Sequence, residues 1–181
     1  NGIRLNPPTL RPGGNQTMST IGSDGLDRIE ILRGPASALY GSEAVGGVVQ
    51  MIRRPAQTTE HTEWTSEASF RARSADLSAR AHAGLRGASQ RASVAAGFSA
   101  ATYGDLAPGG NGPSHRPTAY NEWAAYGTGR YDLGPRRRLV GDVLVGQQSQ
   151  VPRYDQVASG AFDTYVYDPQ DRLLAALHII D

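Results

Sequence analysis

The stretch that decides the fold reads Leu26-Asp27-Arg28-Ile29-Glu30-Ile31-Leu32-Arg33-Gly34-Pro35-Ala36-Ser37-Ala38-Leu39-Tyr40-Gly41-Ser42-Glu43-Ala44-Val45-Gly46-Gly47-Val48-Val49-Gln50-Met51-Ile52. Arg28 to Leu32 alternates charged and apolar side chains, the period of a half-buried strand. Gly34-Pro35 ends that strand. Ala36 to Tyr40 suits one short helical turn, with Pro35 at its start because the ring already holds a helical φ. Gly41 is placed to end the turn in the left-handed region, where a Cβ is costly. Gly46-Gly47 predicts a second tight turn, and Val48 to Ile52 is a β-branched strand.

This ordered run resembles the plug domain of TonB-dependent receptors, which carries a pattern of the type I-E-R-I-E-V-L-R-G-P-A-S-A-L-Y-G-x-G-A-I-G-G-V-I-N-I-I-T. The match is near-continuous over about 27 residues, long and ordered enough to be specific. Glu43 departs from it where the family often has Gly, and Leu26-Asp27 replaces a more usual Ile-Glu. Neither change breaks the strand-turn-helix-turn-strand order. The resemblance assigns the plug motif to Arg28, Glu30, Arg33, Gly34, Pro35, Tyr40, Gly41, Gly46 and Gly47. A plug fills a barrel lumen lined with polar side chains. The resemblance therefore implies that Arg33, just before the Gly-Pro turn, pairs with barrel-wall carboxylates and fixes the plug in place. Residues 1–57 are expected to be the C-terminal part of the plug domain.

Beyond a polar linker, Pro55 to His61, the pattern changes to period two. Trp64, Ser66, Ala68, Phe70 and Ala72 share one face, and Thr65, Glu67, Ser69, Arg71 and Arg73 the other. The next strand sets Leu77, Ala79, Ala81, Ala83 and Leu85 against Ser78, Arg80, His82, Gly84 and Arg86. A third sets Ala92, Val94, Ala96, Phe98 and Ala100 against Arg91, Ser93, Ala95, Gly97 and Ser99. Each runs about 10 residues, the length a tilted strand needs to cross a bilayer. Alternation alone fits a soluble sandwich as well as a membrane barrel. The plug-like block upstream selects the barrel. Further strands are expected at Glu122–Leu133, Arg138–Gln148 and Asp171–Ile180. The fold class is thus mainly β: part of a plug, then an incomplete antiparallel transmembrane β-barrel whose first six or so strands occupy residues 58–181.

Connection lengths give the strands a direction. Gly87 to Ser89 and Gly134 to Arg137 are tight, whereas Tyr103 to Asn121 and Ser149 to Pro169 are long and rich in Gly, Pro and Asp. Outer-membrane barrels have short periplasmic turns and long extracellular loops. A chain leaving a plug on the periplasmic side meets them in that order. The first connection, near Ser74-Ala75-Asp76, is short for an extracellular one. Val151-Pro152-Arg153-Tyr154-Asp155-Gln156 and Tyr167-Asp168-Pro169-Gln170-Asp171-Arg172 also resemble a motif pair of the haemoglobin/cobalamin-like group of these receptors. The chain opens on an Asn1-Gly2 turn signal and stops one residue after a strand, which reads as a piece of a longer protein.

Composition narrows the chemistry. The hydrophobic fraction is 39% with 22 Gly, a profile of short strands and turns. All 18 basic residues are Arg, so every motif built on a catalytic or phosphate-binding Lys is excluded. There is no Cys, hence no disulfide and no zinc-thiolate site. Net charge is +1, so the overall balance implies no strong electrostatic pull toward nucleic acid or anionic lipid, and no nucleic-acid partner is expected. His61, His82, His115 and His178 show no metal-ligand spacing. Arg136-Arg137-Arg138 reads as a solvated turn near lipid head groups. The longest apolar stretches, near Val45–Ile52 and Leu173–Ile180, fall far short of the roughly 18 residues of a membrane helix. No catalytic residue, cofactor or metal site is expected, and the ligand-binding residues are not legible.

By resemblance, the full protein is a transporter in the outer membrane of a Gram-negative bacterium. Its implied partners are outer-membrane lipid, a small-molecule or metal-chelate ligand, and the inner-membrane TonB complex through a region N-terminal to this sequence. The ligand would be a ferric siderophore, haem or cobalamin, admitted by energy-coupled plug movement. Two rivals stay open at this stage: a plugged-barrel adhesin or signalling receptor, and a soluble β-sandwich enzyme.

Overall fold

A computed structural model describes residues 21–42, 44–53, 58–110 and 112–181. The Asn1-Gly2 turn signal, Glu43 and the start of the Pro55–His61 linker lie outside the described residues. The chain divides into two compact units, Ser23–Pro55 and the remainder.

In the first unit, β1 (Leu26–Arg33) pairs antiparallel with β2 (Gly47–Arg53), and α1 (Ser37–Tyr40) lies between them. Arg33 is opposite Gly47, which sits at φ +144. A Cβ on Gly47 would lie 2.5 Å from the Leu32 carbonyl oxygen, so the close approach of the two strands requires glycine there. Two expectations are corrected. Gly41 takes φ 92 with ψ 169, which is positive φ but not the left-handed helical region. Its N–H still donates to the Ser37 carbonyl and closes α1. Nor is β1 half-buried, since Ile29 and Ile31 are 52% and 64% exposed. Two strands and one helical turn have too little mass to cover both faces of a hairpin.

The second unit is a six-stranded antiparallel sheet in the order β10-β7-β6-β5-β4-β3. Its strands are β3 (Glu63–Arg73), β4 (Ser78–Ala88), β5 (Ala92–Tyr103), β6 (Tyr120–Asp132), β7 (Arg138–Ser149) and β10 (Gln170–Ile180). The sheet does not close on itself: β3 and β10 are its edges. Within the connection expected to be a plain loop, β8 (Val151–Pro152) pairs with β9 (Val166–Tyr167) around α2 (Tyr154–Ala158).

Burial in the sheet runs opposite to that of a water-soluble protein. The apolar rows are exposed: Phe70 at 73%, Leu85 at 48%, Phe98 at 51% and Leu173 at 71%. The opposite face is covered, although it is polar: Ser78, His82, Ser93, Ser99 and Gln148 are all buried. A soluble sandwich would hide the first set and show the second. Among the described residues no helix is long and apolar enough to cross a membrane.

Candidate functional site

The covered face of the sheet carries the densest polar chemistry. Arg80 on β4, Ser99 and Tyr103 on β5, Glu122 on β6 and Gln148 on β7 share this face, because antiparallel register sets Arg80 opposite Ala101, Ala101 opposite Glu122, and Glu122 opposite Gln148. Arg80 Nη1 donates to Glu122 Oε1 at 2.5 Å and to the Tyr103 hydroxyl at 3.1 Å. The Tyr103 hydroxyl donates to the same carboxylate oxygen at 3.0 Å, and Gln148 Nε2 donates to Glu122 Oε2 at 3.0 Å. Both oxygens of Glu122 are therefore satisfied, which a carboxylate with only 14% of its side chain exposed requires. Tyr120 stacks on Tyr103 with ring centroids 4.5 Å apart and stiffens the group.

Gly22 lies directly on this cluster. A Cβ built there would be 3.0 Å from Arg80 Nη2 and 3.8 Å from Ser99 Oγ, so the backbone lies close against the wall. A shallow recess beside it is lined by Gly22, Glu122, Gln148, Gln170 and Arg172. Lower on the same face, Arg86 pairs with Glu67 at 2.6 Å, and His82 stacks on Tyr126. Among the described residues no group of His and acidic side chains could hold a metal ion.

The long connections have their own structure. In residues 104–119, Asp105 Oδ1 accepts from the Thr118 and Ala119 N–H groups, and Leu106 bridges His115. In residues 150–169, Arg153 grips Asp155 with two bonds, at 2.8 and 2.6 Å, and donates to the Tyr167 hydroxyl at 3.0 Å. The guanidinium also lies over the Tyr165 and Tyr167 rings. Its bonds to Asp155 and then to Tyr167 raise the Arg153 pKa, and the same guanidinium, followed by Gln156, holds Asp155 below the ordinary carboxylate range. The two segments with the motif-pair resemblance are thus paired in space, Val151 with Tyr167. The connections meet where His115 Nδ1 contacts the Tyr154 hydroxyl at 2.8 Å.

The plug-motif residues fall on the hairpin. Arg28 is bonded to Glu30 at 2.7 Å, with Asp27 at 3.1 Å, and those bonds raise its pKa. The Tyr40 hydroxyl accepts from Gln50 Nε2 at 2.5 Å. Gly34 takes φ +103, Gly46 accepts from the Gly34 N–H, Pro35 precedes the N-cap Ala36, and Arg33 is exposed at the strand end. The wall cluster escaped the sequence reading. Its parity was visible, since Arg80 falls on a polar row, but its members lie on four strands and only the register joins them.

A sheet that shows lipid-like faces outward and a polar, ion-paired face inward is the wall of a membrane β-barrel, and Gly22 shows chain lying against its inner face. The profile of the TonB-dependent receptor plug domain matches residues 1–48. The chain is 46% identical over 52 residues to a vitamin B12 transporter of Photobacterium profundum, a stretch that is 29% of this chain and 8% of that protein. It is 39% identical over 70 residues to a ferrioxamine receptor of Yersinia enterocolitica, 39% of this chain and 8% of that one. An iron-regulated outer membrane virulence protein of Vibrio cholerae shares 56% over 32 residues, 18% of this chain and 5% of the relative. The fold matches the crystal structure of a ferric enterobactin receptor mutant from Pseudomonas aeruginosa in complex with enterobactin. There the TM-score is 0.60 at 19% identity, over 88% of this chain and 26% of that one. The chain is part of a TonB-dependent receptor, with plug sequence followed by an unclosed run of barrel strands. Its matched stretches span less than a tenth of the length of the three curated relatives named above.

Proposed function

We propose that the whole protein is an outer-membrane transporter that admits a scarce chelate by TonB-driven displacement of its plug. The ligand is a ferric siderophore, haem or cobalamin. In this reading residues 1–57 are plug and 58–181 are the first strands of the barrel wall. Connections 104–119 and 150–169 face the extracellular side, and the tight turns 89–91 and 133–137 face the periplasm. Arg33 anchors the plug to wall carboxylates, and the other motif residues shape the hairpin that carries it.

The inverted burial of the six-stranded sheet supports this reading most directly, because a polar inner wall is what a movable plug needs: contacts that water can replace once the plug shifts. The relatives include a transporter and receptors, which fits passage of a ligand without covalent chemistry. The test is uptake by cells that express the full-length protein. Labelled vitamin B12 and a ferric hydroxamate are supplied with and without a protonophore. At least one should accumulate, and the protonophore should abolish it. Accumulation that persists without a proton gradient would refute energy coupling.

A further inference from the structure

We propose that the turn joining β6 to β7 binds the headgroup of an anionic glycerophospholipid whose acyl chains lie on the outward sheet face beside it. This rests on the membrane-barrel reading. The turn is closed by the Leu133 and Gly134 N–H groups, which both donate to the Arg137 carbonyl. It holds Arg136, Arg137 and Arg138 in succession. Arg138 turns inward, where it shares Asp132 with Arg130, at 3.4 and 2.9 Å. Arg137 lies on the outward row that continues through Leu139, Gly141 and Val143, and Asp181 follows Ile179 on the outward row of β10. Asp181 Oδ1 accepts from Arg137 Nε at 2.5 Å and orients the guanidinium. It leaves the Nη1–Nη2 edge with no partner among the described residues. The guanidinium of Arg136 likewise has none among them.

The turn therefore carries two guanidinium groups, Arg136 and Arg137, against the Asp181 carboxylate, with Arg137 on the outward side. Directly beside it stand Tyr131, Leu139, Leu177 and Ile179, with Leu177 at 71% and Ile179 at 63% exposure. A phosphodiester fits a free guanidinium edge in two parallel hydrogen bonds. The adjoining apolar rows supply the acyl surface, and Tyr131 sits at the boundary, where an amphipathic ring belongs. A free inorganic phosphate would satisfy the first feature and make no use of the second.

The experiment uses the full-length receptor in nanodiscs of equimolar phosphatidylglycerol and phosphatidylcholine, released for native mass spectrometry. Wild type should retain phosphatidylglycerol at least fivefold over phosphatidylcholine. The double variant R136Q/R137Q should lose that preference, while R71Q, on the inward row of β3, should keep it. Equal retention of both lipids by wild type, or an unchanged preference in the double variant, overturns the site. So does displacement of the lipid by millimolar inorganic phosphate, which would mark a free-anion site. Protease protection in phosphatidylcholine vesicles is measured in parallel. A wild type that fails to insert overturns the barrel reading and the site together, whereas insertion without lipid preference overturns the site alone.

Discussion

Arg80 and Glu122 decide whether the inner wall of the sheet is a coupled unit or a set of neutral neighbours. Each has 14% of its side chain exposed, so removing one leaves a poorly hydrated charge on the other. Arg80→Met should destabilise the full-length receptor by about 3 kcal/mol in reversible unfolding from liposomes. Adding Glu122→Met should then cost much less than it does alone, because the orphaned charge has gone. Strict additivity would show that the pair is already hydrated. A second residue-scale test concerns Gly97, across which the Tyr126 ring lies. A Cβ there would meet the ring at 2.6 Å, whereas at Gly129 the nearest atom is 4.0 Å away. Gly97→Ala should cost about 1–3 kcal/mol and release Tyr126 from His82, while Gly129→Ala should be close to neutral. Equal effects at the two sites would mean the ring moves aside freely. Neither test could have been designed from sequence. Parity tells which face Gly97 lies on, but not that Tyr126 is its partner across β5 and β6.

At the scale of elements, alternation was legible and loop substructure was not. Strands β3, β4 and β5 announce themselves through long period-two rows, β6, β7 and β10 fall where strands are expected, and β6 ends at Asp132, one residue from its expected limit. By contrast β8 and β9 have two residues each and one contains Pro152, so they carry no periodic signal. What alternation left open was which face meets water, and burial answers it. Ala81→Arg, on the exposed apolar row, should cost about 2–4 kcal/mol if it sits near the bilayer midplane. Ser69→Arg, on the inward and open row of edge strand β3, should cost far less. Ser78 and Ser93 are poor comparators because both are buried. Equal costs at 81 and 69 in liposomes would count against a lipid-facing row. The β3–β4 turn makes a separate prediction. Asp76 Oδ1 accepts from the Ser78 hydroxyl at 2.6 Å and from its N–H at 3.2 Å. The hydroxyl bond lowers the Asp76 pKa more than burial raises it. A depressed carboxylate contributes stability above its unfolded value, about 3.9, and that contribution is lost as pH falls through the lower folded value. Wild type should therefore outperform Asp76→Asn at neutral pH, with the gap closing below about pH 4. A constant gap across this range would assign the difference to packing.

For the whole molecule, the decisive feature is an open sheet with two free edges and an apolar outer face. Edge strands offer rows of unpaired N–H and C=O groups, and β3 and β10 are long enough, at 11 residues each, to template pairing with another chain. The outward rows of β10, Leu173, Leu177 and Ile179, are among the most exposed large apolar side chains described. No part of this sheet buries them, and contiguous apolar patches of that kind drive association in water. Six strands also cannot close a barrel of the size found in plugged outer-membrane transporters, about 22 strands, so the edges cannot satisfy each other within one copy. The 181-residue chain, purified in plain buffer, should run on size-exclusion chromatography as a broad, concentration-dependent distribution of oligomers. A mild detergent above its micelle concentration should sharpen it by covering the outer face. Detergent should not restore full stability, because it supplies no hydrogen bonds to β3 or β10. Appending the strands that neighbour each edge should. A sharp monomer peak with cooperative unfolding in plain buffer would contradict both the lipid-facing surface and the open edges, and with them the barrel assignment.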